Sequence, residues 1–212
     1  MLSSELKRLD ADGESIAEGN LSLAAAFFNP TLLVEDGGID PLLLGIASQV
    51  CQSIDNMVID DVRNFLFGAP GARGFNLASL NIKSGRDHSL ANYNQTRRDY
   101  GLRSARSFRD VNPDHSVQQD LADVYNGVEE IDLWVGGLAE RHHPGALVGP
   151  TYMAILSDQF ERLRDGDRFS YQNYLTPEMI TFVENQTLAR IVRRNTDIGR
   201  ELPNDVFHVL IN

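Results

Sequence analysis

Cysteine is almost missing from this chain of 212 residues, which contains Cys51 alone. One cysteine cannot form an internal disulfide, so a fold built on a disulfide framework is excluded. Cys51 falls on the apolar side of a helical pattern. We therefore predict that it is a small buried core residue rather than a reactive thiol.

Long apolar runs are also missing. No segment approaches the roughly 20 consecutive apolar residues that a membrane-spanning helix needs, so no membrane span is expected. The opening segment Met1–Lys7 lacks the basic start and the following apolar stretch of a secretory signal peptide. We therefore expect no signal peptide in this chain.

Positive charge is scarce relative to negative charge. Lys and Arg together number 19 against 30 Asp and Glu, which gives a net charge of −11. Nucleic-acid phosphates and anionic lipid surfaces both recruit Lys and Arg, so neither is an expected partner. With 42% hydrophobic and 23% charged residues, the composition is that of a globular protein that can bury a sizeable core.

Apolar residues recur at helical spacing in several segments, whereas an alternation of period two never persists. The predicted fold class is therefore mainly α, with little or no sheet. No composition break suggests a linker. The four main predicted helices are Leu42–Phe67, with Asp40 as N-cap; Asp87–Tyr100, with Asp87 at its start and Gly101 after its end; Pro150–Leu163; and Pro177–Val192, with Thr176 as N-cap.

The most informative motif is the run from Leu80 to Asn94, in which Leu80-Asn81 precedes Arg86-Asp87-His88. It resembles the Leu-Asn-x-x-x-x-Arg-Asp-His-Gly signature of the animal-type haem peroxidases. Further segments are similar to that family in the same order and at similar spacing, and the resemblance covers Leu2 to Asp197. These segments are Gly38-Ile39-Asp40-Pro41, Trp134-Val135-Gly136-Gly137, Val148-Gly149-Pro150, and Gln159-Phe160 through to Phe169.

The resemblance implies that residues 1–212 are the C-terminal, proximal-side part of the helical peroxidase domain. In the family, the distal His and Arg and the iron-ligating His lie upstream of the matched region. The Gly-His dipeptide that carries the ligand would fall immediately before Met1, so Met1 looks like an internal methionine of a longer peroxidase. We accordingly assign no catalytic and no metal-ligating residue within this chain.

The resemblance also implies a haem b cofactor and the residues that meet it. Asn81 matches the family's acceptor for the N–H of the iron-ligating imidazole, a contact that orients a metal-bound imidazole and raises its basicity. Leu66, Phe67, Leu77 and Leu80 match apolar positions on the proximal side of the haem. Without the resemblance, Asn81 would be read as bonding local backbone and the apolar residues as plain core.

One departure from the family concerns the haem propionates. Many members carry an Arg at the position of Ser84, where it pairs with a propionate, and Ser cannot supply that charge-assisted bond. The neighbouring Lys83 is the candidate replacement, as a point charge rather than a fork. The family's calcium site lies in the part that precedes this chain.

Arg86-Asp87-His88 looks the most catalytic tripeptide in the sequence, yet its predicted role is structural. Asp87 suits the first turn of the helix predicted to follow, where a carboxylate accepts free N–H groups. Arg86 and His88 would tie that helix to neighbouring loops. The family match argues against His88 as a replacement axial ligand, because the same His coexists there with the true ligand.

The resemblance implies an enzyme that reduces hydrogen peroxide and oxidises a small donor such as a halide or phenol, in a secreted or extracellular setting. The isolated chain is expected to be inactive. The alternatives are a non-catalytic adhesion or assembly module, one chain of a two-chain peroxidase with a partner chain, and, less favoured, a fatty-acid dioxygenase. A dioxygenase needs a radical tyrosine, for which the candidates are Tyr93, Tyr100, Tyr152, Tyr171 and Tyr174.

Overall fold

The computed structural model describes residues 3–65 and 76–209. Within these ranges the fold is mainly helical and the single sheet has two short strands. β1 (Glu5–Leu6) pairs antiparallel with β2 (Leu21–Ser22), so that Leu6 lies opposite Leu21. The predicted fold class, mainly α with little sheet, is confirmed.

The helices in the described ranges are mostly short. A π-helical turn, Asp61–Phe65, and two 3₁₀ turns, Val128–Glu130 and Tyr171–Asn173, accompany them. The α-helices are α1 (Leu23–Ala26), α2 (Leu32–Glu35), α3 (Asp40–Ser48), α4 (Leu77–Asp87), α5 (Tyr93–Asp99), α6 (Phe108–Val111), α7 (His115–Val124), α8 (Leu133–Ala139), α9 (Pro150–Gly166), α10 (Pro177–Glu184) and α11 (Leu188–Asn195).

The chain divides into two compact units, and the first joins Met1–Gln52 to Phe169–Asn212. Its core packs α3 against α11 and the segment that follows α11, through Leu44, Ala47, Ala189, Ile198 and Leu202. Near the sheet, the buried guanidinium of Arg8 donates to the carbonyl oxygens of Gly19 and Glu18 and pairs with Asp36. This satisfied charge joins the segment after β1 to the loop before β2 and to the loop after α2.

The second unit, Ser53–Arg168, contains the larger core. α5 packs against α8, and the buried residues are Tyr93, Ala105, Val111, Leu121, Tyr125, Ile131 and Ala139. Asn94 is fully buried and its amide spans the core edge, donating to the Ala105 carbonyl and to Glu129 and accepting from the Ala105 N–H. An internal amide with all these partners holds the loop after α5 in place.

The prediction of one long helix over Leu42–Phe67 was wrong. α3 ends at Ser48, and the chain is irregular until the π-helical turn begins at Asp61. The Asp55 carboxylate accepts from the Met57 N–H at 2.8 Å, a local bond that competes with helix formation. Cys51 lies in this irregular stretch and is exposed, so its predicted burial was also wrong.

The predicted helix start at Asp40 needs a smaller correction. Asp40 is the first residue of α3 rather than its N-cap. Its carboxylate accepts instead from the Asp197 N–H at 3.1 Å, within the same unit. The carboxylate therefore holds a distant loop rather than capping its own helix.

The prediction of a helix over Asp87–Tyr100 misplaced its start. Asp87 ends α4, and α5 begins only at Tyr93, where the Asn92 side chain caps it by accepting from the Gln95 N–H. Asp87 is therefore no N-cap. Gly101 does follow the end of α5, at a φ of +69° that favours glycine.

The predicted helix starts in the C-terminal part were confirmed, because the residues that mark a helix start act within one turn. Pro150 opens α9 as predicted, and the Thr176 side chain caps α10 through the Met179 N–H. The predicted helix Pro177–Val192 is in fact two helices. It breaks after Glu184 because Thr187 caps a new one, α11.

Candidate functional site

The Leu-Asn motif lies within α4. Leu77, Leu80, Asn81 and Ser84 follow one another at helical spacing and share one face of that helix. No residue of α4 is fully buried against the described part of the chain, and Leu77 and Leu80 are half-buried. An apolar face left partly open in this way suits a ligand wall.

Asn81 stands on that face without a partner. Its side chain is half-buried and makes no hydrogen bond with any of the described residues. The alternative interpretation, in which Asn81 bonds local backbone, therefore has no contact to support it within residues 3–65 and 76–209. An amide has both a free acceptor and a free donor to offer.

Asn81 opens onto a cleft of about 240 Å³ between α4, the start of α5 and the start of α8. Trp134 and Leu133 line it from α8, and Leu90 lines it from the turn after α4. The rest of the lining includes the Arg86–Asp132 pair, Glu130 and Asn92, so apolar surface and polar groups share the wall. Asn81 supplies an uncommitted amide from α4, and apolar surface combined with placed polar groups suits a cofactor.

Lys83 and Asp87 form an ion pair at 2.5 Å within α4, and both side chains are more than half exposed. Lys83 lines a shallower neighbouring cleft rather than the one beside Asn81. The structure does bring Ser84 to the Asn81 cleft, and its carbonyl oxygen lies 2.8 Å from Nδ1 of His88. Leu66 and Phe67, the other predicted haem contacts, lie outside the described residues.

Arg86 makes a two-point ion pair with Asp132, the residue before α8. Nε donates to Oδ1 at 2.9 Å and Nη2 donates to Oδ2 at 2.7 Å. The Tyr125 hydroxyl also donates to Oδ2, at 2.7 Å. Arg86 thus ties the end of α4, rather than the start of α5, to a neighbouring segment. Burial and the Asp132 carboxylate together raise the pKa of Tyr125 to about 12, so this phenol stays a donor.

The Arg86–Asp132 pair predicts a specific pH dependence. The hydrogen bond from Arg86 holds the pKa of Asp132 below its ordinary value of 3.8. Because the folded-state pKa is lowered, the stabilisation is complete above the unfolded-state pKa and is lost as pH falls through the folded one. Between about pH 5 and about pH 2, wild type is expected to lose more unfolding free energy than Asp132→Asn. Urea unfolding at both pH values measures this, and equal losses would contradict it.

A second polar cluster, buried and away from the cleft, centres on Glu140 at the end of α8. Its carboxylate accepts from the Tyr93 hydroxyl at 2.7 Å, from the Thr151 N–H at 2.8 Å, and from Arg97. Arg97 also lies over the Tyr93 ring. Burial, reinforced by the Glu140 charge, raises the pKa of Tyr93 well above its ordinary value. This cluster joins α5, α8 and α9 and is structural.

Sequence reasoning missed Asp132, Tyr125 and Glu140. Their partners lie far along the chain, since Asp132 is 46 residues from Arg86 and Glu140 is 43 residues from Arg97. The sequence did contain one signal for the Arg86 pair. Arg86 lies inside the Arg-Asp-His motif without an assigned anionic partner, which indicates that a carboxylate from elsewhere in the fold pairs with it.

Comparison with known families identifies the family of this chain. The profile of the animal haem peroxidase family matches residues 1–207. The chain belongs to this family. The expectation drawn from the Leu-Asn and Arg-Asp-His motifs is confirmed at the level of the family.

Several animal haem peroxidase relatives share the sequence. Peroxinectin A of Dictyostelium discoideum is 42% identical over 188 residues, which are 87% of this chain and 34% of that protein. A human peroxidasin homolog is 36% identical over 96% of this chain and 14% of its own length. Thyroid peroxidase of Mus musculus is 33% identical, over 96% of this chain and 23% of its length. The chain therefore spans about a third or less of these relatives.

Solved structures give the same family fold. Peroxidase A from Dictyostelium discoideum superposes with a TM-score of 0.82 at 36% identity, covering 98% of this chain and 39% of the other. A fatty acid alpha-dioxygenase from Oryza sativa superposes with a TM-score of 0.74 at 22% identity, over 92% of this chain and 35% of the other. The second likeness shows a shared fold and nothing of its chemistry.

Proposed function

We propose that residues 1–212 form the proximal-side part of a haem peroxidase domain and supply one wall of its haem pocket. Family membership supports the cofactor class. The observation that carries the proposal is Asn81, an amide without a partner among the described residues on the partly open face of α4. In this role Asn81 accepts the N–H of the imidazole that ligates the iron.

The residues around Asn81 fit a haem wall. Leu77 and Leu80 give α4 an apolar face, and Trp134 and Leu90 add apolar surface to the cleft. A large flat apolar cofactor needs such surfaces together with a few placed polar groups. When bound, the haem would supply the redox chemistry that couples reduction of hydrogen peroxide to oxidation of a small donor such as a halide or phenol.

The proposed role of Asn81 is to orient and polarise the imidazole that ligates the iron. Its side-chain oxygen, by accepting the imidazole N–H, holds the ring in one orientation and raises its basicity as a ligand. A helix is a rigid support for such a contact, and Asn81 lies in the second turn of α4. We assign no acid–base residue to the chain, and we propose that groups outside it transfer protons to and from peroxide.

Lys83 is proposed as the anchor for a haem propionate, from the neighbouring cleft that it lines rather than from the one beside Asn81. It now pairs with Asp87, and an exposed pair of this kind is worth only about 0–1 kcal/mol. Exchanging Asp87 for a propionate therefore costs little. Leu66 and Phe67 keep their proposed place against the haem.

The setting of the whole protein is also a proposal. We propose a secreted or extracellular location. No helix in the described ranges is long and apolar enough to span a membrane. The calcium that accompanies the family has no proposed ligand in this chain.

The proposal predicts that the chain turns over no peroxide alone. Purified chain with added haemin is expected to show no donor oxidation above free haemin. Co-expression with the N-terminal region of Dictyostelium peroxidase A, the part that precedes the matched segment, is expected to restore haem binding and peroxide turnover. Visible absorption of the haem and a donor-oxidation assay measure both.

Each other outcome of this experiment is informative. Peroxide turnover by the chain with haemin alone would contradict its partial character. Lack of haem binding even with the N-terminal region would support a non-catalytic adhesion or assembly module. Recovery of activity when the two are purified separately and mixed would show that two chains can form the enzyme.

A further inference from the structure

We propose that Arg86 is a positioning residue for Asn81, because its two-point ion pair with Asp132 fixes where α4 stands in the pocket. The inference rests on the proposed role of Asn81. It concerns a different residue, which lines the same cleft as Asn81 and pairs there with Asp132. It assigns a function to the Arg of the Arg-Asp-His motif.

α4 packs against α8 and against the Asp61–Phe65 turn, but few side-chain hydrogen bonds join it to other described elements. None of its residues is fully buried in the described structure. Asn76, directly before it, caps its first turn, and the Lys83–Asp87 pair lies within the helix itself. Among residues 3–65 and 76–209, the Arg86–Asp132 pair is the one side-chain hydrogen-bonded link from α4 to a separate element.

Asp132 pairs with Arg86 instead of capping α8. It occupies the N-cap position of α8, where an Asp side chain ordinarily accepts from a helix N–H, yet it makes no such bond. Both of its oxygens bind Arg86 instead, and the buried Tyr125 holds its Oδ2. Local rules broken in this way point to a role elsewhere in the molecule.

The pair sets the geometry of the cleft from both sides. Trp134, two residues after Asp132, lines the same cleft as Asn81. Fixing Arg86 to Asp132 therefore fixes the α4 wall relative to the α8 wall. Arg86 follows Asn81 by five residues, about 7.5 Å along the helix axis at 1.5 Å per residue. Its influence on Asn81 thus passes through the helix backbone.

The test measures the Fe(III)/Fe(II) reduction potential of the haem-bound protein that contains this chain. Losing the imidazole's acceptor lowers ligand basicity and destabilises Fe(III), so Asn81→Ala is expected to raise the potential. Arg86→Gln and Asp132→Asn are each expected to raise it by at least half as much. Adding Arg86→Gln to Asn81→Ala is expected to give no further rise, because both act on one contact.

Two further variants keep the test specific. Arg162→Gln removes an Arg–Asp pair confined to α9, with its Nε–Oδ1 distance of 2.8 Å, and is expected to leave the potential unchanged. Arg86→Lys retains the charge but not the fork, and is expected to recover only part of the wild-type value. This partial rescue separates positioning from general misfolding.

A second readout needs no haem. In the chain itself, Arg86→Gln is expected to speed amide hydrogen exchange across α4 at least tenfold, whereas Arg162→Gln leaves it unchanged. If Asn81→Ala raises the potential and Arg86→Gln and Asp132→Asn do not, the positioning role is wrong and the proposed function stands. If Asn81→Ala has no effect on the potential, both are wrong.

Discussion

Replacing Glu140 with Ala is expected to lower the free energy of unfolding by about 3–5 kcal/mol, since breaking a buried ion pair from one side leaves the other charge uncompensated. Glu140 is only 4% exposed. Its removal leaves Arg97 charged and strips partners from the Tyr93 hydroxyl and the Thr151 N–H. Urea unfolding followed by circular dichroism measures the loss.

Two controls separate the lost charge from the lost side chain. Glu140→Gln keeps the shape of the side chain and an acceptor oxygen, so it is expected to lower the free energy of unfolding by less than Glu140→Ala does. Glu161→Ala removes an exposed carboxylate from α9 and is expected to change stability by about 0.5 kcal/mol or less. A Glu140→Ala protein as stable as Glu161→Ala would show that the buried cluster contributes little.

Gly136→Ala is expected to lower the free energy of unfolding by about 3 kcal/mol, because overpacking of a dense core commonly costs about 1–3 kcal/mol. A Cβ at this position would lie 2.5 Å from Cγ and Cδ2 of Tyr93, far inside van der Waals contact. The ring cannot retreat easily because Tyr93 is 1% exposed and its hydroxyl is bonded to Glu140.

The matched control for this substitution is Gly166→Ala. Gly166 ends α9, and no atom lies within 4 Å of the place that a Cβ would take, so an added methyl meets no neighbour. Ala is also the better helix former, and the change is expected to be neutral or to stabilise by up to about 1 kcal/mol. Thermal melts of both variants measure the difference, and equal melting temperatures would contradict the close packing of α5 on α8.

Close packing explains why the Trp-Val-Gly-Gly motif has glycine at both of its last positions. Gly136 admits the Tyr93 ring and Gly137 admits the Tyr152 ring, each at a distance that excludes a Cβ. The motif was recognised in the sequence by its resemblance to the family. Its packing role needed the structure, because Tyr93 precedes it on α5 and Tyr152 follows it on α9.

The sequence predicted those features whose signals involve residues close together in the chain. Pro150 and Thr176 mark helix starts through bonds to residues within one turn, and both predictions were confirmed. The prediction of a long helix over Leu42–Phe67 was wrong because apolar residues at helical spacing were taken as the buried face of one helix. Val50 is in fact 59% exposed and Met57 70% exposed.

The candidate site was predictable only in part. Asn81 was assigned through the motif and stays a prediction, and the structure adds that it has no partner among the described residues. That the motif lies on a helix of its own, α4, was missed, although Asn76 three residues before Ser79 is a local capping signal. The partners of Arg86 could not be predicted, since pairing across 46 residues depends on how α4 and α8 meet.

The central claim is that Asn81 accepts the N–H of the iron-ligating imidazole. The most direct measurement is the iron–imidazole stretching frequency of the ferrous haem-bound protein, by resonance Raman, in wild type and Asn81→Ala. Ser79→Ala, an exposed change on the same helix, is the control. We predict a lower frequency in Asn81→Ala alone, because the imidazole loses its acceptor and some basicity. An identical frequency in all three proteins would contradict the claim.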